Sequence, residues 1–289
     1  MNGFLCVLKP PGMTSSDVVV RVRRRLPKGT KVGHAGTLDP EAAGVLPLMI
    51  GKASRLFDYL VEKEKVYIAE LKPGYATDTQ DAHGSIVAGS GEMASLEQLE
   101  AVLPQFLGEI MQTPSMFSAL KRDGQKLCDL ARKGQEVARK PRSITIYELE
   151  LLEQVSETDY TFRCVCSKGT YIRTLCHDIG QVLGCGGTLY SLRRTMAAGF
   201  TLDESVTLEQ VQEAGETLLR PADSLFREHP EYRLKTGKQE ERCRNGNPFF
   251  IKETLPEGTY RIYGREGDFL CLSRLQGDTM TSLKNFFGA

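Results

Sequence analysis

The sequence predicts an α+β domain followed by a small C-terminal β unit. Its 289 residues are 40% hydrophobic and 26% charged, the composition of a globular protein with a buried core. Strand-like and helix-like segments mix without the regular strand–helix–strand alternation of a doubly wound sheet, which favours the α+β class. Beyond about residue 229, glycine and proline separate short strand-like runs, which is typical of a small sheet.

The first half of the chain supplies both kinds of element. Residues 4–8 predict a strand, and the turn-rich segment after it leads to a helix that is capped by Ser15 or Ser16 and reaches Leu26. Asp39-Pro40-Glu41 has the pattern of a helix start, because aspartate is favoured at the N-cap and proline at the first helical position. Further strands are predicted at 45–50, 66–71 and 85–87, and further helices at 53–61 and 95–107.

The second half predicts strands at 143–154, 160–166 and 189–196 and helices at 170–183 and 207–215. Between 111 and 142 an Asp-Gly turn at Asp123-Gly124 joins two short strands, and a short helix follows that stops at Gly134. We therefore predict a first domain, residues 1–228, that carries a separable unit at 111–142. A second, smaller β domain spans residues 229–289.

The charge of the chain is zero in total but uneven along its length. Lys and Arg number 37, as do Asp and Glu. Residues 1–60 carry nine basic and four acidic groups, and residues 111–142 carry eight and three, so each block has a net charge of +5. Two basic blocks in a neutral protein indicate one anion-binding face, although solvated helix faces give the same pattern.

Several function classes are excluded by missing patterns. The eight cysteines contain no CxxC pair, so we expect reduced, mostly buried cysteines and no metal. The chain has no GxxxxGK[ST] phosphate loop, GxSxG or HExxH motif, which argues against nucleotide motors and common hydrolases. The longest apolar run, residues 45–50, is too short to span a bilayer, and from the N-terminal residues we expect no signal peptide. We expect a cytoplasmic protein that does not bind a membrane.

The segment GHAGTLDP (33–40) remains as a candidate for chemistry, because glycine-rich backbone allows a ligand to approach Asp39 closely. A plain helix cap is the competing interpretation of that aspartate. Six other motifs change the balance when they are taken together and in order. They are KPPGMTS (9–15), KVY (65–67), TDTQDAHG (77–84), PSMFSALKRDGQKL (114–127), SKGTYIRTL (167–175) and SLRRT (191–195).

This ordered set resembles the TruB-type family of bacterial tRNA pseudouridine-55 synthases over residues 3–225. The resemblance implies a mixed, largely antiparallel sheet flanked by helices. It implies that one uridine in the T loop of tRNA is isomerised to pseudouridine without a cofactor or metal, by a monomer that needs no obligate protein partner. The 111–142 unit matches the insertion that closes over the T stem-loop. Residues 229–289 are short for a complete RNA-binding PUA domain, so we expect a reduced, PUA-like unit.

The resemblance also implies roles for six residues. Asp39 matches the catalytic aspartate, Arg173 its ion partner, and Tyr67 the tyrosine that stacks on the target uracil. Tyr171 matches the tyrosine of the TYIR pair, a substrate-binding position, and Leu192 matches a residue that lines the base pocket. His34 matches a histidine that fills the space the base has left in the RNA loop.

These residue types suit the chemistry. The reaction breaks N1–C1′, turns the base and joins C5 to C1′, with no net redox change. An ionised carboxylate could attack C1′ or C6 or take a sugar proton, and the sequence does not separate these routes. An adjacent guanidinium favours its charged form, and an aromatic face can hold a flipped base. Two alternatives remain open: a non-catalytic RNA-binding or RNA-folding protein on the same scaffold, and a synthase for another RNA.

Overall fold

The computed structural model describes residues 2–156 and 158–285. The strands in this part of the chain are, in order, β1 (Gly3–Lys9), β2 (Val32–His34), β3 (Ala43–Ile50), β4 (Lys65–Pro73), β5 (Ala76–Thr77), β6 (Ile86–Ala88), β7 (Gly108–Gln112), β8 (Lys121–Arg122), β9 (Gln125–Lys126), β10 (Arg142–Gln154), β11 (Tyr160–Cys166), β12 (Gly187–Ala197), β13 (Phe200–Thr201), β14 (Glu231–Arg233), β15 (Phe249–Phe250), β16 (Gly258–Tyr263), β17 (Phe269–Gln276) and β18 (Thr279–Asn285).

Short α-helices and single 3-10 turns connect these strands. The α-helices are α1 (Ser15–Arg23), α2 (Phe57–Glu62), α3 (Leu96–Val102), α4 (Leu127–Ala131), α5 (Ile172–Leu183), α6 (Leu208–Ala214) and α7 (Gly237–Arg244). The 3-10 helices are Gly51–Leu56, Leu103–Phe106, Gly215–Leu218 and Ala222–Phe226.

A nine-stranded sheet forms the centre of the molecule. Its strands lie in the order β1-β3-β12-β4-β11-β10-β7, with β2 paired to β3 and β13 paired to β12. The β12–β3 pair is parallel and the other pairs are antiparallel. The predicted α+β fold with a mixed, largely antiparallel sheet is therefore confirmed.

The alternating side chains of the first strand show how the sheet divides the core. Leu5 and Val7 pack with α1 and α6 on one face, whereas Phe4 and Cys6 point to the opposite face. Towards the other edge of the sheet, α3 and α5 cover β4, β10, β11 and β12 and bury a third cluster. Helix α5 therefore lies against the strands that carry Tyr67 and Leu192.

Residues 231–285 form a second, five-stranded sheet in the order β14-β16-β17-β18-β15. Its core is continuous with that of the central sheet, because Tyr232 and Leu272 belong to the same buried cluster as Phe4 and Phe226. Helix α7 within this unit was not predicted from the sequence. Residues 286–289 of the predicted second domain lie outside the described residues.

Two predicted helix starts are wrong. Thr14 caps α1, because its hydroxyl accepts from the Asp17 backbone N–H at 3.1 Å and the Asp17 carboxylate accepts from the Thr14 N–H at 3.0 Å, and the helix ends at Arg23. No helix begins at Asp39, where a turn leads directly into β3. The Pro40 carbonyl is bonded to the buried Lys9 amine, which removes it from any helical pattern.

The described residues include no helix that is both long and apolar enough to cross a bilayer. Seven of the eight cysteines are buried, as predicted.

Candidate active site

The loop that carries Asp39 is held from beneath by the KPPGMTS segment. Ser15 donates its hydroxyl to the Leu38 carbonyl at 3.0 Å and accepts from the Leu38 N–H at 2.9 Å. The fully buried Lys9 amine donates to the carbonyl oxygen of Pro40 at 2.7 Å. Desolvation of this amine lowers the pKa of Lys9 to about 8. The two motifs are thus one structural unit in which side chains of the first fix the backbone of the second.

Asp39 and Arg173 form a two-pronged ion pair. Arg173 Nε donates to Asp39 Oδ2 at 2.8 Å, and its Nη2 donates to Asp39 Oδ1 at 3.2 Å. The arginine side chain is 5% exposed, whereas the Asp39 side chain is 41% exposed. The carboxylate is therefore oriented by a buried partner but remains open to a substrate.

Three further groups fix the Arg173 guanidinium. Its Nη1 donates to the Thr79 carbonyl at 2.9 Å and its Nη2 to the Phe117 carbonyl at 2.9 Å. Asp81 Oδ2 lies 3.7 Å from Nη1 as a second carboxylate. No role for Asp81 was predicted from the sequence, although this aspartate lies in the motif TDTQDAHG, which has no other assigned residue.

Tyr67 forms part of the wall of a cavity of about 230 Å³ next to this ion pair. It is 7% exposed on β4 and lies directly opposite Arg194 of β12. Burial raises the pKa of Tyr67 to about 12, because desolvation disfavours the phenolate. The residue therefore presents a neutral phenol near pH 7, and its ring can pack against a planar base.

Five of the six predicted site residues line this cavity, and His34 does not. The five are Asp39, Tyr67, Tyr171, Arg173 and Leu192. His34 lies at the end of β2, where burial and the charge of Arg194 lower its pKa, so the imidazole is held towards its neutral form. The structure thus gathers residues from β4, β12, the start of α5 and the loop after β2.

Two cationic side chains that were not predicted as site residues, Lys65 and Arg194, also line the cavity. Lys65 donates its amine to the carbonyls of Val61 and Lys63 at 3.0 and 3.1 Å, and burial lowers its pKa. Arg194 is fully buried. Lys65 lies in the motif KVY and Arg194 in SLRRT. Their burial could not be predicted, because a single cationic residue in a strand is usually exposed.

The insertion at 111–142 borders the cavity through Ser118 and Ala119. Its own small core consists of Met116, Leu127 and Leu130. Beside it lies a groove of about 490 Å³ with five cations and no acidic residue in its wall; the cations are Lys121, Arg122, Arg139, Lys140 and Arg142.

Comparisons with known proteins agree on one family. Residues 23–172 match the TruB family pseudouridylate synthase (N terminal domain), and residues 173–227 match the tRNA pseudouridylate synthase B C-terminal domain. A tRNA pseudouridine synthase B of Clostridium kluyveri is 42% identical over 278 residues, which cover 93% of this chain and 94% of the relative. A tRNA pseudouridine synthase B of Francisella philomiragia is 39% identical over 292 residues, which cover 99% of this chain and 95% of the relative.

A solved structure supports the same assignment. A chain of the Cbf5-Nop10-Gar1 complex superposes with a TM-score of 0.70 at 25% identity, covering 99% of this chain and 85% of that one. A chain of an H/ACA RNP bound to a substrate RNA has a TM-score of 0.69 at 24% identity and shows the same fold. On the strength of the matched domains and the identity along almost its whole length, the chain belongs to the TruB family of pseudouridylate synthases.

Proposed function

We propose that this chain isomerises uridine to pseudouridine in tRNA, at position 55 of the T loop. The observation that carries the proposal is the Asp39–Arg173 pair, which opens into a cavity beside Tyr67. The relatives of similar length named tRNA pseudouridine synthase B support tRNA as the substrate.

In this proposal the target base leaves the RNA loop and enters the cavity. The Tyr67 ring packs against the uracil, and Leu192 and Tyr171 bound the space in which the base turns. Flipping costs a few kcal/mol of stacking and pairing. His34, outside the cavity, fills the gap left in the RNA loop and offsets part of that cost.

Asp39 carries out the chemistry. Attack at C1′, attack at C6 and removal of a sugar proton all require an ionised carboxylate within reach of the nucleotide. Arg173 holds the carboxylate in place, because its guanidinium donates to both carboxylate oxygens and its bonds to backbone carbonyls prevent it from turning away. The Asp39 side chain is 41% exposed, which leaves it accessible to the substrate.

Binding is assigned to a different part of the chain. The cations of the 111–142 insertion contact the phosphates of the T stem-loop and close over it. We further propose that residues 1–228 form the catalytic domain and 229–289 a reduced, PUA-like unit. The enzyme acts in the cytoplasm as a monomer, without a cofactor.

The test is to incubate the protein with an unmodified tRNA transcript and to map pseudouridine by carbodiimide-blocked primer extension. A single new stop that reports position 55 is the expected result. A primer-extension stop at another uridine of the tRNA would assign another target position. Stops that occur in a different RNA but not in tRNA would assign another substrate. Tight tRNA binding with no stop would favour the RNA-folding alternative over the enzyme.

A further inference from the structure

Arg194 is the largest fully buried side chain in the described part of the molecule. The carboxylates of this region pair with Arg173 and not with Arg194: within residues 2–156 and 158–285 no acidic group lies within ion-pair distance of it. A buried charge without a counter-charge is costly and is retained only where its surroundings compensate it. The function proposed above gives Arg173 a task but leaves this second guanidinium unexplained.

Backbone carbonyls satisfy most of its hydrogen-bonding capacity. Nε donates to the Val45 carbonyl at 2.9 Å, Nη1 to that of Thr37 at 3.3 Å and Nη2 to that of Gly36 at 3.1 Å. Gly36 and Thr37 lead directly to Asp39. One side chain therefore ties the loop that carries the carboxylate to strand β3.

The backbones of β12 and β3 approach each other closely at Arg194. In the parallel pairing of β12 with β3, Arg194 lies opposite Gly44. A Cβ at position 44 would lie 2.1 Å from the Arg194 carbonyl oxygen, and Gly44 has φ +113°. On its other side Arg194 lies opposite Tyr67, and its guanidinium interacts with the Tyr67 hydroxyl. The cation therefore borders the cavity next to the residue assigned to hold the base.

The reaction creates a need for such a charge. When N1–C1′ breaks, the electron pair stays with the uracil, which is an anion until C5 joins C1′. The C5 proton is then lost and N1 gains one, so the product is an isomer. We propose that Arg194 is a positioning residue that fixes the Gly36–Thr37 backbone and the Tyr67 hydroxyl and, through that hydroxyl, stabilises the negative charge on the detached base. This inference rests on the proposed function.

Substitutions at two adjacent residues separate this role from simple packing. Arg194→Gln removes the charge, Arg194→Lys keeps it but cannot reach all three carbonyls, and Arg193→Gln is the control because Arg193 is exposed on the opposite face of β12. The readouts are the single-turnover rate of pseudouridine formation in unmodified tRNA transcript, the Kd for that transcript, and circular dichroism of the same samples.

We expect Arg194→Gln to lower the rate about a hundredfold while Kd changes less than about threefold. At pH 6, Arg194→Lys should be at least about tenfold faster than Arg194→Gln, and Arg193→Gln should stay within about twofold of wild type. Equal rates for the lysine and glutamine variants, or a glutamine variant within about threefold of wild type, would overturn the proposal.

A pH series keeps the proposal testable even if Arg194→Gln fails to fold. Burial lowers the pKa of a lysine, so Arg194→Lys should lose its charge as pH rises, whereas arginine stays charged. The groups that face this position are common to both proteins: Cys6, Lys9, His34, Lys65, Tyr67 and Cys166, with Asp39 and Arg173 in the same cavity.

The ratio of variant to wild-type rate should therefore fall between pH 6 and 9 while the folded fraction is unchanged. A flat ratio would reduce Arg194 to a structural role. Failure of the proposed function is a separate outcome, because it would leave wild type itself without pseudouridine at position 55.

Discussion

The Asp39 cavity and the 111–142 insertion hold their cations in opposite ways. In the cavity, Arg173 and Arg194 are 5% and 0% exposed, and both donate to backbone carbonyls. In the insertion most cations are exposed, and their partners are exposed carboxylates, such as Asp129 for Arg132, together with the carbonyls of Pro114 and Ala138. Exposed pairs of this kind contribute about 0–1 kcal/mol.

The difference separates chemistry from binding. A charge that is fixed by carbonyls in a region of low dielectric does not reorganise when the substrate reacts, so it can act on the transition state. A charge on a flexible, hydrated side chain gains mainly by releasing counterions from a phosphate. Damage to the cavity should therefore change the rate of the chemical step, and damage to the insertion should change affinity and its salt dependence.

The largest effect is expected for Asp39→Asn, which keeps the shape of the side chain but removes its charge. Turnover should fall at least about a thousandfold, because an amide is neither nucleophile nor base, and tRNA affinity should change little. An assay of pseudouridine formation measures turnover, and filter binding of the same transcript measures affinity. The control is Glu100→Gln on the exposed face of α3, which should match wild type. Activity within tenfold of wild type would remove Asp39 from the catalytic role.

A smaller loss is expected for Arg173→Lys. Lysine keeps the charge but offers no planar fork, so it cannot bond both oxygens of Asp39 and the Thr79 carbonyl together. We expect single-turnover rates about a hundredfold below wild type with unchanged Kd. Arg163→Lys, at a surface pair with Glu148, is the matched control and should cost less than about twofold. A rate loss shared by both variants would mean that any arginine-to-lysine change perturbs the fold.

In the insertion, the effect should appear in binding instead. Replacing Lys121, Arg122, Lys126, Arg132 and Lys133 by glutamine should weaken tRNA binding and flatten the dependence of log K on log salt, by roughly 0.7–0.9 for each phosphate that the variant no longer neutralises. The rate on bound RNA should change less, since Asp39, Tyr67 and Arg173 lie outside the segment. Binding titrations across a salt series measure the slope.

The three acidic residues of the same unit provide the control for that experiment. Changing Asp123, Asp129 and Glu136 to amides disturbs the same surface without removing a cation, so the slope must not flatten. If plots of log K against log salt are parallel for wild type and for the variant with five substitutions, the insertion is a solvated face that does not touch RNA.

The smallest effect is expected on stability and concerns Asp178, a partly buried carboxyl group outside the cavity. Burial on α5 raises the pKa of Asp178 to about 6 from 3.8. Asp178 therefore binds a proton more tightly in the folded state than in the unfolded state. The wild-type protein consequently loses stability as pH rises from about 4 to 6. Asp178→Asn should therefore be more stable by about 1–2 kcal/mol at pH 7 and equal near pH 3.5. Urea unfolding at both pH values measures this; an equal gain at both would exclude ionisation as the cause.

Much of the molecule could be predicted from the sequence, because local rules and short motifs encode it. Strand β11 has the predicted bounds, Tyr160–Cys166, since apolar residues dominate it and turn residues flank it. Helices α3 and α6 begin one residue after their predicted starts, at Leu96 and Leu208, because Ser95 and Thr207 are the N-caps of capping boxes. The motif order was sufficient to place the chain in its family.

Only the tertiary structure decided how the motifs meet. Asp39 looked like a helix cap because Asp-Pro-Glu is a local signal, yet Lys9, 31 residues away from Pro40 in the chain, takes the Pro40 carbonyl and holds a loop instead. Arg194 gave no sign of its position, because its three carbonyl partners lie about 150 residues upstream. A sequence encodes periodicity and caps within a few residues, whereas the burial of a charge depends on long-range contacts that form only when the sheet is assembled.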